Sequence, residues 1–182
     1  MSKQKEQTKI KNRIVFFDMD GVLVNFRKGA KELGIKFKGY SFINEEEAWA
    51  KIREKGYKFW TNLEWMKGAK ELFEYACSKF DRVEVLSARS MDASSVIGKR
   101  IWCKQLKEIA EKYNTKFKAN IVWISQKSKF SKNGKYKNIL IDDYKLNLDN
   151  WNGDSILFKS AKQAKIELIR LEESYVKRYA SS

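Results

Sequence analysis

The sequence predicts an α/β fold with a mainly parallel sheet flanked by helices, and three observations support this prediction. Residues 14–17 are an apolar run that leads directly into Asp18, and so short a run is typical of a buried parallel strand. Two later apolar runs, residues 83–86 and 139–141, also lead into polar residues. Segments with apolar residues at helical spacing separate the three runs, which is the alternation of β–α–β units.

The other elements follow from periodicity and from the residues that interrupt it. Apolar residues at helical spacing predict five helices, and Gly34 ends the first of them. Two further short apolar runs predict two more strands. Residues 127–136 are predicted to be a basic loop or a short helix, and residues 147–152 a turn. The predicted helices span residues 25–33, 45–55, 66–80, 94–113 and 161–179, and the predicted strands span residues 14–18, 83–86, 119–124, 137–141 and 156–158.

The chain is expected to divide into a tail, a core and an insertion. Residues 1–12 are polar and basic, and we predict a frayed tail there. Residues 25–66 change character, because aromatic side chains are concentrated among charged ones and two glycines interrupt them. We interpret this segment as a small helical cap inserted after the first strand. The α/β core then comprises residues 13–24 and 67–182.

The composition narrows the class of protein. Of the 182 residues, 43% are hydrophobic and 14% aromatic, which is enough apolar material for a globular core. A net charge of +15 favours anionic partners such as nucleotides, nucleic acid or phosphate. The sequence has no His, which excludes His-activated nucleophiles and His metal ligands. Its two cysteines lack metal-ligand spacing, and it has neither a bilayer-length apolar run nor a signal-peptide core, so we predict a cytoplasmic protein without membrane association.

Polar side chains follow three of the predicted strands. Asp18 and Asp20 end the first strand, Ser87 ends the second, and Asp142 and Asp143 end the fourth. Because ligands of open α/β sheets bind beyond the carboxyl ends of the strands, these residues are expected to converge there. Four carboxylates would repel one another unless a hard divalent cation lay among them, and Mg²⁺ suits an oxygen-only site that also holds phosphate. The alternative for each acidic pair is an ordinary capped turn.

These strand-end residues, taken in chain order, resemble the sequence motifs of the haloacid dehalogenase (HAD) superfamily of phosphohydrolases, whose fold is Rossmann-like. The resemblance covers residues 13–158. The third motif of that superfamily is a lysine, which leaves Lys127, Lys129 and Lys132 as candidates; we favour Lys127 because the residues after it match the local pattern. The other motifs fall at residues 18–22, at Ser87 within residues 85–89, and at residues 139–143.

Two further segments resemble one branch of the superfamily. Residues 60–69 and 98–102 are similar to the 5'(3')-deoxyribonucleotidases, and phage-encoded members are the most similar. In that branch the insertion after the first strand is a helical cap over the active site, and residues 25–66 match it in place and size. The resemblance therefore implies an Mg²⁺-dependent phosphomonoesterase that hydrolyses nucleoside monophosphates. For a phage-encoded chain, the compartment would be the host cytoplasm.

The resemblance also implies a role for each motif residue. Asp18 would attack phosphorus and form a phosphoaspartate, and Asp20 would act as general acid and then general base. Mg²⁺ would be held by the carboxylate of Asp18, the main-chain carbonyl of Asp20 and one or both of Asp142 and Asp143. The residues implied to bind phosphate are Ser87, Ala88, Arg89 and Lys127.

Several alternatives stay open at this point. Phe59 and Trp60 either stack on a nucleobase or form the core of the cap. Arg89 and Lys99 either bind phosphate or are solvated, and Asn25 either lines the cleft or caps a helix. The alternative functions are a phosphatase of nucleic-acid 3' or 5' phosphate ends and a non-catalytic nucleotide-binding module. Nucleic acid is a less favoured partner because the cap would exclude a polymer, and the sequence does not determine the oligomeric state.

Overall fold

The computed structural model describes residues 9–39 and 41–179. Tyr40 and the two ends of the chain, residues 1–8 and 180–182, lie outside the described residues. In chain order the elements are β1 (Val15–Phe17), α1 (Phe26–Glu32), β2 (Phe37–Lys38), β3 (Ser41–Phe42), α2 (Glu45–Lys55), α3 (Tyr57–Thr61), α4 (Ala69–Lys79), β4 (Arg82–Ala88), α5 (Ala93–Trp102), α6 (Lys104–Lys112), β5 (Lys116–Val122), a 3₁₀ helix (Ile124–Phe130), β6 (Lys132–Asn133), β7 (Tyr136–Lys137), β8 (Ile139–Asp142), α7 (Lys145–Asp149), β9 (Asp154–Leu157) and α8 (Ala161–Tyr179).

A five-stranded parallel sheet forms the centre of the fold, with the strand order β5-β4-β1-β8-β9. This confirms the predicted α/β class with a mainly parallel sheet flanked by helices. β1 is the central strand, and all three of its residues are buried. Because β4 and β8 lie on either side of β1, the carboxyl ends of these three strands are neighbours.

The two faces of the sheet are covered differently, and the side chains of β1 alternate between them. Phe17 belongs to the large hydrophobic core, which also takes in residues of α4, α6 and α8. Phe16 belongs to a smaller cluster on the other face, where it packs against Phe130 and Trp151 at ring-centroid distances of 5.7 and 5.9 Å. The sheet is therefore buried on both sides, as its continuous apolar strands require.

The segment predicted to be a cap, residues 25–66, contains α1, the β2–β3 hairpin, α2 and α3. Its role as a separate cap stays a prediction. Its core is aromatic: Phe26 packs against Phe59 and Trp60 at centroid distances of 5.6 and 5.7 Å. The cap contacts the core domain closely where α3 lies against α5. A Cβ atom on Gly98 would lie 2.5 Å from the Cβ of Trp60 and 2.6 Å from the carbonyl oxygen of Tyr57.

Several elements differ from the sequence prediction, and α3 and the β2–β3 hairpin were not predicted. The predicted helix 94–113 is two helices, α5 and α6, because the chain bends at the buried Cys103 while both helices bury the same side. Residues 127–136 form the 3₁₀ helix and the β6–β7 hairpin rather than one loop or short helix. The predicted turn at 147–152 overlaps α7, and β5 begins three residues before the predicted strand 119–124.

The described part of the predicted tail, residues 9–12, is attached to the core. The backbone of Ile10 bonds to the carbonyl of Lys79 and to the N–H of Asp81, and the Ile10 side chain is buried. The buried side chain of Ile10 thus anchors a segment that was predicted to be frayed because its neighbours are basic. Among the described residues, no helix has both the length and the apolar character needed to cross a membrane.

The close packing between α3 and α5 predicts that a larger side chain at position 98 destabilises the protein. Gly98→Ala should lower the free energy of unfolding by about 1–3 kcal/mol, because the added methyl group overpacks the contact with Trp60. Arg100→Ala, on the exposed side of the same helix, is the control and should stay within about 0.5 kcal/mol of the wild type. Denaturant unfolding measures both, and equal stability of the Gly98 variant and the wild type would contradict the packing.

Candidate active site

The site is built around Lys127, a buried lysine between two carboxylates. Its Nζ lies 2.7 Å from Oδ1 of Asp18 and 2.8 Å from Oδ2 of Asp142. Asp18 directly follows β1, its N–H donates to the carbonyl of Ile141, and Asp142 ends the adjacent β8. The 3₁₀ helix after β5 brings Lys127 to the same edge. The other two candidate lysines, Lys129 and Lys132, are exposed.

Burial and charge act in opposite directions on this cluster. Burial alone would lower the pKa of Lys127, but the carboxylates of Asp18 and Asp142 outweigh that effect and raise it above its ordinary value. For Asp142, burial and the charge of Asp18 raise the pKa, and Lys127 only partly offsets them. Lys127 therefore stays charged, and one cation offsets two carboxylates.

A tight loop after β1 holds the second carboxylate, Asp20. The carbonyl of Met19 accepts hydrogen bonds from the N–H groups of Val22, Leu23 and Val24, so the chain turns back at once. Gly21 has a positive φ of 85°, and a Cβ atom on it would lie 2.3 Å from Oδ2 of Asp143. Glycine is required here because the carboxylate of Asp143 fills the space beside it.

Asp20 has its own lysine, Lys99 of α5. The Nζ of Lys99 donates to Oδ2 of Asp20, to Oγ of Ser87 at 3.0 Å and to the carbonyl of Ala88 at 2.7 Å. Lys99 is only 1% exposed, so it is not a solvated rim lysine. Sequence reasoning left this residue undecided. Its place between the buried Ser95 and Trp102, at helical spacing on one face of α5, was the signal that it points inward.

Burial and the charge of Lys99 act in opposite directions on the pKa of Asp20. Burial raises the pKa of Asp20, and the charge of Asp18 raises it further, although Lys99 acts in the opposite direction. Its Oδ1 is buried and has no hydrogen-bond partner among the described residues. Asp20 can therefore hold a proton beside the ionised cluster around Lys127.

Three carboxylates could hold a metal ion. One oxygen from each of Asp18, Asp142 and Asp143 lies within 4.8 Å of the other two. The donors are all oxygens, which suits Mg²⁺. Burial, together with the charges of Asp18 and Asp142, raises the pKa of Asp143 to about 7. A divalent cation would reduce the repulsion among these carboxylates, so the residues present fit the expected Mg²⁺ ion. The side chain of Asp20 points to Lys99 instead of joining this set.

Other predicted site residues lie around this centre or away from it. Ser87 is fully buried beside Lys99, and Ala88 presents its carbonyl to the same lysine. Arg89 reaches outward, and its guanidinium carbon lies 4.4 Å from the ring centroid of Trp123. Phe59 and Trp60 are 7% and 2% exposed, and the ring centroid of Trp60 lies 4.8 Å from Nζ of Lys99. Stacking of either ring on a nucleobase stays a prediction. The side chain of Asn25 caps α1 by accepting from the N–H of Lys28 at 3.0 Å.

The fold is similar to that of solved HAD-superfamily hydrolases. A HAD-superfamily hydrolase of subfamily IA, variant 1, from Geobacter sulfurreducens is 14% identical over 88% of this chain and 99% of its own, with a TM-score of 0.53. A haloacid dehalogenase-like hydrolase from Streptococcus pneumoniae is 15% identical over 88% and 98%, with a TM-score of 0.50. No family model and no curated protein matches the sequence.

These similarities show that the chain has the HAD-type fold, which is the fold that the four motifs predicted. The identities are low, so the similarity extends to the fold and not to the substrate. The assignment to the 5'(3')-deoxyribonucleotidase branch and the phage origin both stay predictions.

The raised pKa of Asp143 predicts how stability depends on pH without metal. Folding raises the pKa of this carboxyl from 3.8 to about 7, so the folded state keeps its proton to a higher pH than the unfolded chain does. The free energy of unfolding should therefore fall as the pH rises from about 4 to about 8 in chelator. Asp20 and Asp142 shift in the same direction. Mg²⁺ should stabilise the protein more at about pH 8 than at about pH 5.

Asp143→Asn tests the origin of this dependence by thermal unfolding. In chelator at about pH 8 the variant should be more stable than the wild type, because one repelling charge is gone. It should also lose most of the Mg²⁺ stabilisation, which for the wild type reaches about 2.7 kcal/mol at about 100 times Kd. Asp149→Asn, at an exposed carboxylate of α7, is the control. A wild-type Tm that rises from about pH 5 to about pH 8 in chelator would refute the prediction.

Proposed function

We propose that the protein is an Mg²⁺-dependent phosphomonoesterase that transfers a phosphoryl group to Asp18 and then to water. One observation carries the proposal: Asp18 and Asp20 stand two residues apart at one strand end, yet each bonds a different buried lysine. The arrangement gives the two carboxylates different environments. Such separation is the usual basis for dividing nucleophile from acid between two similar groups.

Asp18 is the nucleophile in this proposal. Its carboxylate oxygen attacks phosphorus, the bond to the leaving oxygen breaks, and a phosphoaspartate forms. Lys127 is placed to neutralise a phosphate oxygen beside Asp18, and Ser87 and Lys99 supply further donors to the same edge of the sheet. Held by Asp18, Asp142, Asp143 and the main-chain carbonyl of Asp20, Mg²⁺ would offset the negative charge of phosphate and carboxylates.

Asp20 moves the proton. Asp20 begins the cycle protonated in this proposal, and it gives that proton to the leaving oxygen. The resulting carboxylate then accepts a proton from the water that attacks the phosphoaspartate. Inorganic phosphate leaves, Asp18 is restored, and Asp20 is protonated again. The ammonium group of Lys99 lies against Oδ2, so it stabilises the ionised form between the two steps.

The proposed substrate is a nucleoside monophosphate, and a deoxyribonucleotide fits best. Residues 60–69 and 98–102 resemble the 5'(3')-deoxyribonucleotidases, and the net charge of +15 favours an anionic ligand. The cap segment lies against the core through α3 and α5, which favours a small substrate over the end of a polymer. A phosphate-release screen of nucleoside monophosphates, each with and without Mg²⁺, tests this proposal against 3'-phosphorylated and 5'-phosphorylated oligonucleotides.

The nucleophile assignment makes the first activity prediction. Asp18→Asn should leave less than about a thousandth of the phosphate release, an increase in the barrier of at least ~4 kcal/mol, because an amide is a poor nucleophile. EDTA should also abolish release in the wild type, and Mg²⁺ should restore it. Asp149→Asn should retain full activity. If the Asp18 variant kept a tenth of the wild-type rate, another residue would have to be the nucleophile.

The role of Asp20 makes the second prediction, through the leaving group. Asp20→Asn should slow hydrolysis of a nucleotide by about 10²–10⁴-fold, because a nucleoside alkoxide needs the proton. With p-nitrophenyl phosphate, nitrophenolate should still appear in a burst, since it leaves without a proton. Slow turnover should follow, with phosphate held on Asp18. A burst slowed as much as nucleotide hydrolysis would show that the variant disturbs the nucleophile instead.

A further inference from the structure

A second pocket lies between the cap and the core, next to the charged site. Its volume is about 360 Å³, which is within the size range of small-ligand pockets. One wall comes from α2 of the cap, and the other two come from the loops that follow β4 and β5. The residues that form its mainly apolar walls include Trp49, Arg53, Arg89, Met91, Trp123 and Ile124.

The pocket contains a partly exposed aromatic ring, and a cation lies over one face of that ring. Trp123 is 40% exposed, and the guanidinium carbon of Arg89 lies 4.4 Å from its ring centroid. The backbone fixes Arg89 there, because its N–H donates to the carbonyl of Val122 at 2.8 Å. Met91 and Ile124 are 86% and 54% exposed. Large apolar side chains exposed together around a concave surface mark a binding site.

The pocket lies near the active site, because the loops that form it follow two strands of the same sheet edge. Arg89 follows Ser87 by two residues, so their Cα atoms are at most ~7 Å apart. Trp123 immediately precedes the 3₁₀ helix that carries Lys127. An apolar pocket and the cluster around Lys127 therefore share the carboxyl edge of the sheet. The pair first considered for stacking, Phe59 and Trp60, is buried inside the cap and presents no free ring face of this kind.

We propose that this pocket binds the base of a mononucleotide, with the base stacked on the exposed indole of Trp123. The proposal rests on the proposed function, since it assigns the place where the nucleoside part of the substrate would bind. A planar, polar aromatic ring matches the pocket better than an alkyl chain does, because the indole offers a π face and Arg53 and Arg89 offer cationic donors. The base thus interacts with the core loops rather than with the aromatic core of the cap.

Binding without turnover tests this directly. In full-length Asp18→Asn protein, equilibrium dialysis should give tighter binding of deoxynucleoside 5'-monophosphates than of deoxyribose 5-phosphate, which lacks the base. Adding Trp123→Ala should reduce this affinity ratio by about 5- to 150-fold, the range that corresponds to roughly 1–3 kcal/mol per stacked base. Arg89→Lys keeps the charge but loses the planar contact, and it should reduce the ratio to a smaller extent.

Two controls separate stacking from general damage. Tyr57→Ala removes a similarly exposed aromatic ring elsewhere on the cap, where Tyr57 is 46% exposed, and should keep the parent's ratio. Ile124→Ala, inside the pocket, should lower the ratio more than Ile97→Ala, which removes an equally exposed isoleucine on α5. A parent ratio near one, or a Trp123→Ala protein with the parent's ratio, would overturn the proposal.

The same measurements distinguish this proposal from the proposed function. Nucleotide binding that depends on Trp123, in a protein whose wild type releases no phosphate, would support the pocket and refute the phosphomonoesterase. A wild type that hydrolyses nucleotides and deoxyribose 5-phosphate with equal KM would support the phosphomonoesterase and refute the pocket. Trp123-dependent binding of oligonucleotides with no measurable binding of mononucleotides would also overturn the proposed occupant.

Discussion

The position of one buried ammonium group, that of Lys127, determines what the rest of the site can be. Asp18 and Asp142 sit at the ends of adjacent strands, and without a cation between them their charges would oppose the pairing of β1 with β8. Removing one partner from a buried ion pair typically costs about 3–5 kcal/mol. The 3₁₀ helix that carries Lys127 is thus a structural requirement of this sheet edge, and a divalent cation would offset the carboxylate charge that a single lysine leaves unbalanced.

A second buried lysine gives Asp20 a separate environment, and it links the cap to the chemistry. Lys99 bonds Asp20 and Ser87, and its ammonium group also lies 4.8 Å from the ring centroid of Trp60. Gly98, the residue before it, allows α3 to approach α5 closely. A shift of the cap at this contact would move Lys99 and so change the charge beside the proposed acid. One turn of α5 thus contacts both α3 and the proposed acid.

Sequence patterns predicted the site residues that lie at the ends of strands. An apolar run followed by carboxylates fixes both the strand and the edge where Asp18 and Asp142 meet, because parallel strands all present their carboxyl ends to one side. The bend at Cys103 gave no such signal, since α5 and α6 bury the same side and the periodicity continues through it. The burial of Phe59 and Trp60 depends on Phe26, which is distant in sequence. Pairings of that kind leave no local pattern.

The two halves of the cleft differ in a way that explains why only one was foreseen. Around Asp18 the groups are buried, charged and bonded to one another, so their geometry is fixed by the fold. Around Trp123 the groups are exposed and apolar, with no periodicity because the residue falls between β5 and the 3₁₀ helix. In the sequence, Trp123 alone does not predict a binding site. The fold places Arg89 and α2 around it. In the proposed function, the residues for the reaction lie at strand ends and can be predicted from the sequence. The residues proposed for substrate choice lie in loops, whose neighbours only the tertiary structure supplies.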